Sequence, residues 1–350
     1  MFYTLSKAAR LFSGPKSAPL TPDELLALVK HQELPALARG RGGLGWTESD
    51  IAEVGQELGF LRNPTRPLVL SVFVTKGGVL KTTLSLNIAR LLALHGVKTL
   101  VIGLDLQGDV TSALGYQPAA AAENLDEALA ALDDTRGLYD YYKENAGLTE
   151  LILKTDLPHL DFIPETSELI ALDQELFLRP RREQWLKEKV ILPLTKKYEV
   201  IVLDGSPNWN QLTTNSLVAC DVLISPVECR INNFRNLRLF RALLHQCQKD
   251  MGLNFQHLYV PTRLNSQRKL SREIYQWYQE NLPGCSEIAV RESIHGEEGS
   301  ALHLSIPELA PDSLAGQEMK LLVRAMWNLA TSRRREIRRS KSEVNSWPSV

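Results

Sequence analysis

One stretch limits what this chain can fold into more than any other: Thr75-Lys76-Gly77-Gly78-Val79-Leu80-Lys81-Thr82-Thr83. An apolar, β-branched run (Leu68 to Val74) precedes it and an amphipathic run (Leu84 to Leu94) follows. That order is strand, glycine turn, helix. Backbone N–H groups in such a turn point at anions, and the helix N-terminus adds the positive end of its dipole. The cradle comprises Lys76, Gly77, Gly78, Val79, Leu80, Lys81, Thr82 and Thr83. Within it Lys81 is positioned to reach outer phosphates, and the Thr82 hydroxyl to hold a magnesium ion. The spacing departs from the ordinary G-x-x-x-x-G-K-[ST], because residue 75 is threonine and residue 80 is leucine. A second lysine, Lys76, stands just before the glycine pair instead. A leucine at 80 would cost roughly 1–2 kcal/mol if the turn needs a left-handed backbone there.

With 350 residues the chain has room for one large domain and a small one. From Pro67 to about Thr331, near-continuous apolar runs alternate with helical patterns, as expected of a parallel sheet covered on both faces. Strands are expected at Leu68–Val74, Thr99–Leu104, Leu160–Ile163, Val200–Leu203, Val222–Ile224, Leu258–Val260 and Glu287–Val290. Helices are expected at Thr82–Leu94, Ser167–Leu178, Glu183–Lys196, Phe234–Lys249, Leu270–Asn281 and Leu314–Ala330. The fold class is therefore α/β, a doubly wound and mostly parallel sheet of P-loop NTPase type. The stretch 117–157 has poor periodicity and reads as an insertion or helical subregion.

Residues 1–65 read as a separate small module. Thr4 caps a short helix to Phe12, and Thr21-Pro22-Asp23-Glu24 opens a second with N-cap, N1 proline and acidic first turn. A Pro- and Gly-punctuated loop from Leu34 to Trp46 carries Arg39 and Arg41, and a third helix starts near Thr47. This order fits a helix-turn-helix or winged-helix DNA reader, or else a small helical dimerisation cap. Asn63 to Pro67, with two prolines, is the expected boundary. Residues 66–341 then form the larger domain, and 342–350 a loose polar tail.

Two more elements carry chemistry. Asp105 lies just past the second strand, in Gly103-Leu104-Asp105-Leu106-Gln107-Gly108-Asp109, where ligands bind in open α/β sheets. The apolar strand Val200-Ile201-Val202-Leu203 ends in Asp204, the pattern of a Walker B carboxylate that holds magnesium through water.

Two lysines flanking two glycines, with these carboxylates in order, resemble the deviant Walker A of the ParA/MinD ATPases. The N-terminal segment is similar to the MerR-like modules of the large plasmid ParA proteins, with Leu34-Pro35, Arg39 to Arg41 and Gly45-Trp46-Thr47 in the matching places. The resemblance implies ATP/ADP and Mg2+ as cofactors, with Lys76 reaching the nucleotide of a second subunit. It implies catalytic roles for Asp105, Lys76 and Lys81, with Asp105 positioning the attacking water, and metal binding by Thr82 and Asp204. The family stretch reads Asp-x-Asp-Pro-Gln-Gly-Asn, so Gly103 replaces its first aspartate and Leu106 its proline. Loss of that first carboxylate is expected to weaken magnesium or water ordering and to slow turnover.

The function implied is a weak, partner-stimulated ATP hydrolase for plasmid partition. It would form an ATP-dependent homodimer, bind nonspecific DNA, and answer to a ParB-like centromere-binding protein. Its N-terminal module would bind an operator as an autorepressor. The alternative is a DNA-binding transcriptional regulator that uses ATP as a conformational signal.

Net charge is −1, so DNA contact must come from local patches. Arg230, Arg235, Arg238 and Arg241 form one basic cluster, and Arg333 to Arg335 with Arg338, Arg339 and Lys341 another. Either could instead be a solvated helix face. The four cysteines lack a C-x-x-C pair, which favours free thiols in a reducing compartment. No apolar stretch approaches the ~20 residues that span a bilayer, and no secretory pattern opens the chain. A cytoplasmic, nucleoid-associated protein without membrane contact is expected.

Overall fold

A computed structural model describes residues 1–14, 17–118 and 124–332. Its centre is a seven-stranded sheet built from β4 (Leu68–Val72), β5 (Thr99–Gly103), β6 (Leu153–Lys154), β7 (Leu160–Ile163), β8 (Val200–Asp204), β9 (Val222–Glu228) and β10 (Gln256–Thr262), in the order β10-β9-β4-β8-β5-β7-β6. All pairings are parallel except β6 with β7. Strand alternation sorts the side chains onto two faces. Leu68, Leu70, Val72, Val200 and Val202 enter one core, while Val69, Leu100, Ile102, Ile201 and Leu203 enter a second. This is the P-loop NTPase-like α/β arrangement that the apolar runs indicate.

The first face is covered by α4 (Lys81–Leu94) and by a long helix near the end of the described chain, Leu314–Thr331. Among the described residues between β5 and β7 run α5 (Asp109–Ala113), α6 (Leu125–Asp133) and α7 (Leu138–Tyr142). The described part of the aperiodic stretch 117–157 holds α6, α7 and β6, and residues 119–123 lie outside the described residues. Next come α8 (Leu169–Phe177), α9 (Leu192–Leu194), α10 (Gln211–Ala219), α11 (Asn233–Met251), α12 (Lys269–Asn281), α13 (Ile294–Ala301), α14 (Ile306–Leu309) and the closing helix α15.

Two expected elements differ. Glu183–Lys196 is not one α-helix but a short 3-10 turn, a π-helical segment Leu186–Ile191 and then α9. Pro193 has no N–H for the Lys189 carbonyl, which accepts the Tyr141 hydroxyl at 3.1 Å instead. Glu287–Val290 is not a regular strand either: only the bridges Tyr259–Cys285 and Thr262–Val290 join this segment to β10. The Ser286 hydroxyl takes up both backbone groups of Ile288 at 3.0 Å, removing them from a ladder.

The N-terminal segment is not purely helical. It pairs β1 (Phe2–Thr4), β2 (Ala38–Gly40) and β3 (Gly43–Thr47) in an antiparallel sheet of order β1-β3-β2, with α1 (Leu5–Phe12), α2 (Pro22–Lys30) and α3 (Ile51–Leu58) around it. The expected basic loop is a hairpin, with Arg39 on β2 and Arg41 in the turn. Gly42 and Gly43, at φ +95 and +124, allow the reversal. Tyr3 and Trp46 are fully buried beneath it.

This segment shares one hydrophobic core with α4 and α15. A buried ion network fastens the seam. Arg90 of α4 donates through Nε and Nη2 to Glu308 (2.7 and 2.9 Å), and through Nη1 and Nη2 to Asp156 (2.7 and 3.0 Å). The Tyr3 hydroxyl donates to the same Glu308 at 2.8 Å. Lys320 of α15 donates to the Arg10 carbonyl (2.8 Å), and Trp327 to that of Arg62 (2.9 Å). Residues 333–350, which include the second basic cluster and the loose tail, lie outside the described residues.

His95 sits in the same seam, edge-on to Phe12 and Phe60. Burial, together with the charges of Arg62 and Lys320, lowers its pKa to about 4, although its bond to the Leu91 carbonyl opposes the shift. The folded chain therefore holds this ring neutral, while the unfolded chain protonates it near 6.5. Stability is expected to fall as pH drops from 6.5 towards 4, by about 3 kcal/mol from this group alone. Urea midpoints between pH 4.5 and 7 should fall less steeply for His95→Leu than for the native chain. Equal slopes would contradict the assignment.

Candidate nucleotide site

The loop from Thr75 to Leu80 leaves the C-terminal edge of the sheet between β4 and α4. Gly78 has φ +70, and a Cβ on Gly77 or Gly78 would meet nothing within 4 Å, so the outer face of the loop is open. Val79 is buried and anchors the loop in a further hydrophobic cluster, with Phe73 and Leu217. Leu80 has φ +72 and ψ +31, the left-handed backbone that leucine resists. Its side chain packs partly buried against the first core, which offsets the strain. Thr83 lies in the first turn of α4, where its carbonyl accepts from Asn87 at 2.7 Å.

Four of the expected residues converge. Lys81 is 7% exposed, and its ammonium lies 3.4 Å from the Lys76 carbonyl. Burial lowers its pKa, and Asp105, Asp204 and Asp109 counter that. Asp204, at the end of β8, is fully buried and accepts from Thr82 Oγ1 at 3.0 Å and from the Ser85 hydroxyl. Burial pushes it up to about 6 against the pull of those hydroxyls and Lys81. Asp105, past β5, accepts the Gln107 N–H at 3.3 Å, and burial raises its pKa too.

Lys76 points elsewhere. It forms an ion pair with Glu228, at the end of β9. Glu228 also faces Arg263 at 3.2 Å and Arg230 at 3.5 Å. Burial would raise the Glu228 pKa, but Lys76, Arg230 and Arg263 together hold it below its ordinary value.

Three participants escaped the sequence reading. Ser85 lies one helical turn from Thr82, a spacing that marks it in hindsight. Glu165 and Glu228 come from distant strand ends and carry no local motif. Of the first basic cluster, Arg235 and Arg238 are exposed on α11, opposite buried Leu237 and Phe240. Arg241 is half-buried and bonds the Tyr259 hydroxyl, and Arg230 is drawn to Glu228 and Glu292.

The donor set suits a hard divalent cation: a threonine hydroxyl and a carboxylate bonded to each other, beside further carboxylates, under an open loop. Thr82 and Asp204 would hold it. Among the described residues no group of three or more His, Cys, Asp and Glu side chains is arranged to hold a metal.

A family model described as an AAA domain matches residues 68–256, and the chain belongs to that family. The sporulation initiation inhibitor protein Soj of Bacillus subtilis is 32% identical over 184 residues, covering 53% of this chain and 67% of Soj. The chromosome partitioning protein ParA of Myxococcus xanthus is 31% identical over 194 residues, covering 55% of this chain and 58% of that one. The chain spans about three fifths of the length of the curated relatives it matches. In fold it is similar to cobyrinic acid a,c-diamide synthase from Mycobacterium smegmatis, solved with bound ADP and magnesium. That likeness has a TM-score of 0.61 at 21% identity and covers 75% of this chain and 94% of the other. It supports a P-loop NTPase-like α/β fold with a mostly parallel central sheet.

Lys81→Ala should abolish binding of a fluorescent ATP analogue while leaving the circular dichroism unchanged. Undiminished affinity would remove the loop from the nucleotide site.

Proposed function

We propose that this chain is a magnesium-dependent ATP hydrolase of ParA type, acting in DNA partition. The observation that carries the reading is the division of labour between its two loop lysines. Lys81 is buried among Asp105 and Asp204, where the phosphates of its own nucleotide would lie. Lys76 stands at the rim, its ammonium turned away from that cluster and held by Glu228. Exchanging that ion pair for a phosphate would let Lys76 reach a second nucleotide across a dimer interface.

Phosphoryl transfer asks for positioning and charge neutralisation more than covalent chemistry. The loop N–H groups would cradle the phosphates, Lys81 would neutralise their outer oxygens, and Asp105 would orient the attacking water. Bound magnesium would supply further charge neutralisation between Thr82 and Asp204. ATP would then join two copies of the chain, and hydrolysis would release them.

The exposed Arg235 and Arg238 of α11 are candidates for nonspecific, phosphate-directed DNA contact in the dimer. The Arg39–Arg41 hairpin would serve as the wing of an operator-reading helix-turn-helix module, making the chain an autorepressor. A ParB-like protein would stimulate turnover, and the chain would act in the cytoplasm, on nucleoid DNA. No helix among the described residues is long and apolar enough to cross a membrane.

A second reading, a transcriptional regulator that senses ATP, is favoured by one feature. The DNA-reading candidate is fastened by Tyr3, Glu308 and Arg90 to the helix that begins at the P-loop. Nucleotide state and operator binding would then be coupled without partition. Stimulation of hydrolysis by a ParB-like protein separates the two readings.

Sedimentation with a nonhydrolysable ATP analogue, alongside steady-state turnover, tests the proposal. Lys76→Ala should still bind nucleotide but remain monomeric. Asp105→Ala should dimerise with ATP and turn it over at least about 100-fold more slowly, the scale of a lost general base or water-orienting group. Nucleotide-dependent dimers of Lys76→Ala would refute the shared-nucleotide reading, and retained turnover in Asp105→Ala would refute the role of that carboxylate.

A further inference from the structure

The space that any side chain at residue 103 would need is already filled. A Cβ built on Gly103, the last residue of β5, would lie 2.2 Å from Glu165 Cγ, 2.5 Å from its Cδ and 2.8 Å from its Oε1. Glu165 follows β7, the neighbouring parallel strand, so its side chain crosses the end of the sheet towards β5 and β8. It is 9% exposed. One carboxyl oxygen, Oε2, accepts the Thr111 N–H at 3.1 Å and the Thr111 hydroxyl at 3.0 Å. That hydroxyl in turn accepts the Glu165 N–H at 2.9 Å. The other oxygen, Oε1, is buried with no hydrogen-bond partner among the described residues.

A buried, unpartnered carboxyl oxygen is costly, and neighbouring negative charges make it costlier. Glu165 feels both Asp204 and Asp105. A cation with its hydration shell, seated between Thr82 and Asp204, would relieve that cost. We propose that Glu165 is a positioning residue of this site, supplying from β7 the carboxyl that the chain lacks at residue 103. In this role Oε1 accepts from water bound to the magnesium ion. Oε2 holds Thr111, and through it the turn from Asp105 to α5. The inference rests on the nucleotide reading above and adds to it a residue from a different strand.

Binding of a nonhydrolysable fluorescent ATP analogue to the full chain, titrated with magnesium, tests it. Glu165→Ala should raise the magnesium midpoint at least about tenfold, the usual scale for an outer-shell partner, with magnesium-free nucleotide affinity unchanged. Glu165→Gln, which keeps the size and an acceptor for Thr111, should shift the midpoint in the same direction and guards against a folding defect in the alanine variant. Gly103→Asp alone should lower the melting temperature, because its side chain meets Glu165. The double variant Gly103→Asp/Glu165→Ala should recover much of the magnesium dependence, which a merely structural role for Glu165 would not produce. An unchanged midpoint in folded Glu165→Ala and Glu165→Gln would overturn the inference while leaving the nucleotide site intact. Failure of the native chain to bind the analogue at any magnesium concentration would overturn the nucleotide reading, and this inference with it.

Discussion

Everything at the C-terminal edge of the sheet answers to one electrostatic imbalance. Parallel strands β5, β7 and β8 bring Asp105, Glu165 and Asp204 to a small, poorly hydrated region. Burial raises the pKa of all three, Glu165 to about 8 and Asp204 to about 6. Lys81 lies against this group but is itself depressed by burial. Glu165 so raised is largely protonated at pH 7, so the Lys81 charge faces chiefly Asp105 and Asp204, while the hydroxyls of Thr82, Ser85 and Thr111 only partly substitute for water. A bound cation would offset the burial of these carboxyl groups. The open glycine loop above it offers N–H donors for the anions that would accompany that cation. On the proposed reading, cation and polyanion would bind together.

The second constraint lies on the opposite side of α4. Arg90 is buried, and its guanidinium is shared between Glu308 and Asp156. Removing one member of such a network typically costs about 3–5 kcal/mol, because the remaining charge is left buried and unpaired. Tyr3, in the first strand of the chain, donates into the same carboxylate. The helix that begins with the phosphate loop thus also carries the docking point of the N-terminal segment. With His95, Phe12 and Phe60 packed beside it, this seam is core rather than a loose domain contact. Truncation at the proline-rich boundary near residue 65 would strip apolar cover from α4 and α15. Through Glu308, Tyr3 and β1, α4 is linked to β3 of the hairpin carrying Arg39 and Arg41.

Legibility in the sequence followed locality. The phosphate loop, its flanking strand and helix, and the two strand-end aspartates each occupy fewer than about 15 consecutive residues, and each has a period or composition of its own. Even the left-handed Leu80 could be anticipated from its position. What stayed hidden depends on pairing between distant segments. Phe2–Thr4 becomes a strand only because Gly45 to Thr47 offers it a partner, and two-residue β6 exists only as an addition to the edge of β7. Glu165 looked like any polar residue after a strand until the sheet order put β7 beside β5. The absence of a side chain at residue 103 was visible, and it pointed to a weakened site. Its complement is 62 positions away and could be found only in three dimensions.

The same locality separates the two loop lysines. Their roles differ because β9 ends in Glu228, next to β4 in the sheet, and this carboxylate is reached by Lys76 and not by Lys81. Breaking a buried pair is expensive when it leaves a bare charge behind, but Glu228 retains Arg263 and Arg230 after Lys76 departs. Lys76 is itself partly solvated, with 21% of its side chain exposed. Releasing it therefore costs less than breaking a fully buried pair, because the carboxylate keeps two cationic partners. A phosphate desolvated between two protein surfaces offers an ammonium more than that in return. On the reading proposed above, Lys76 would be held back in a lone chain and yielded to a second nucleotide, a switch driven by ligand and not by refolding.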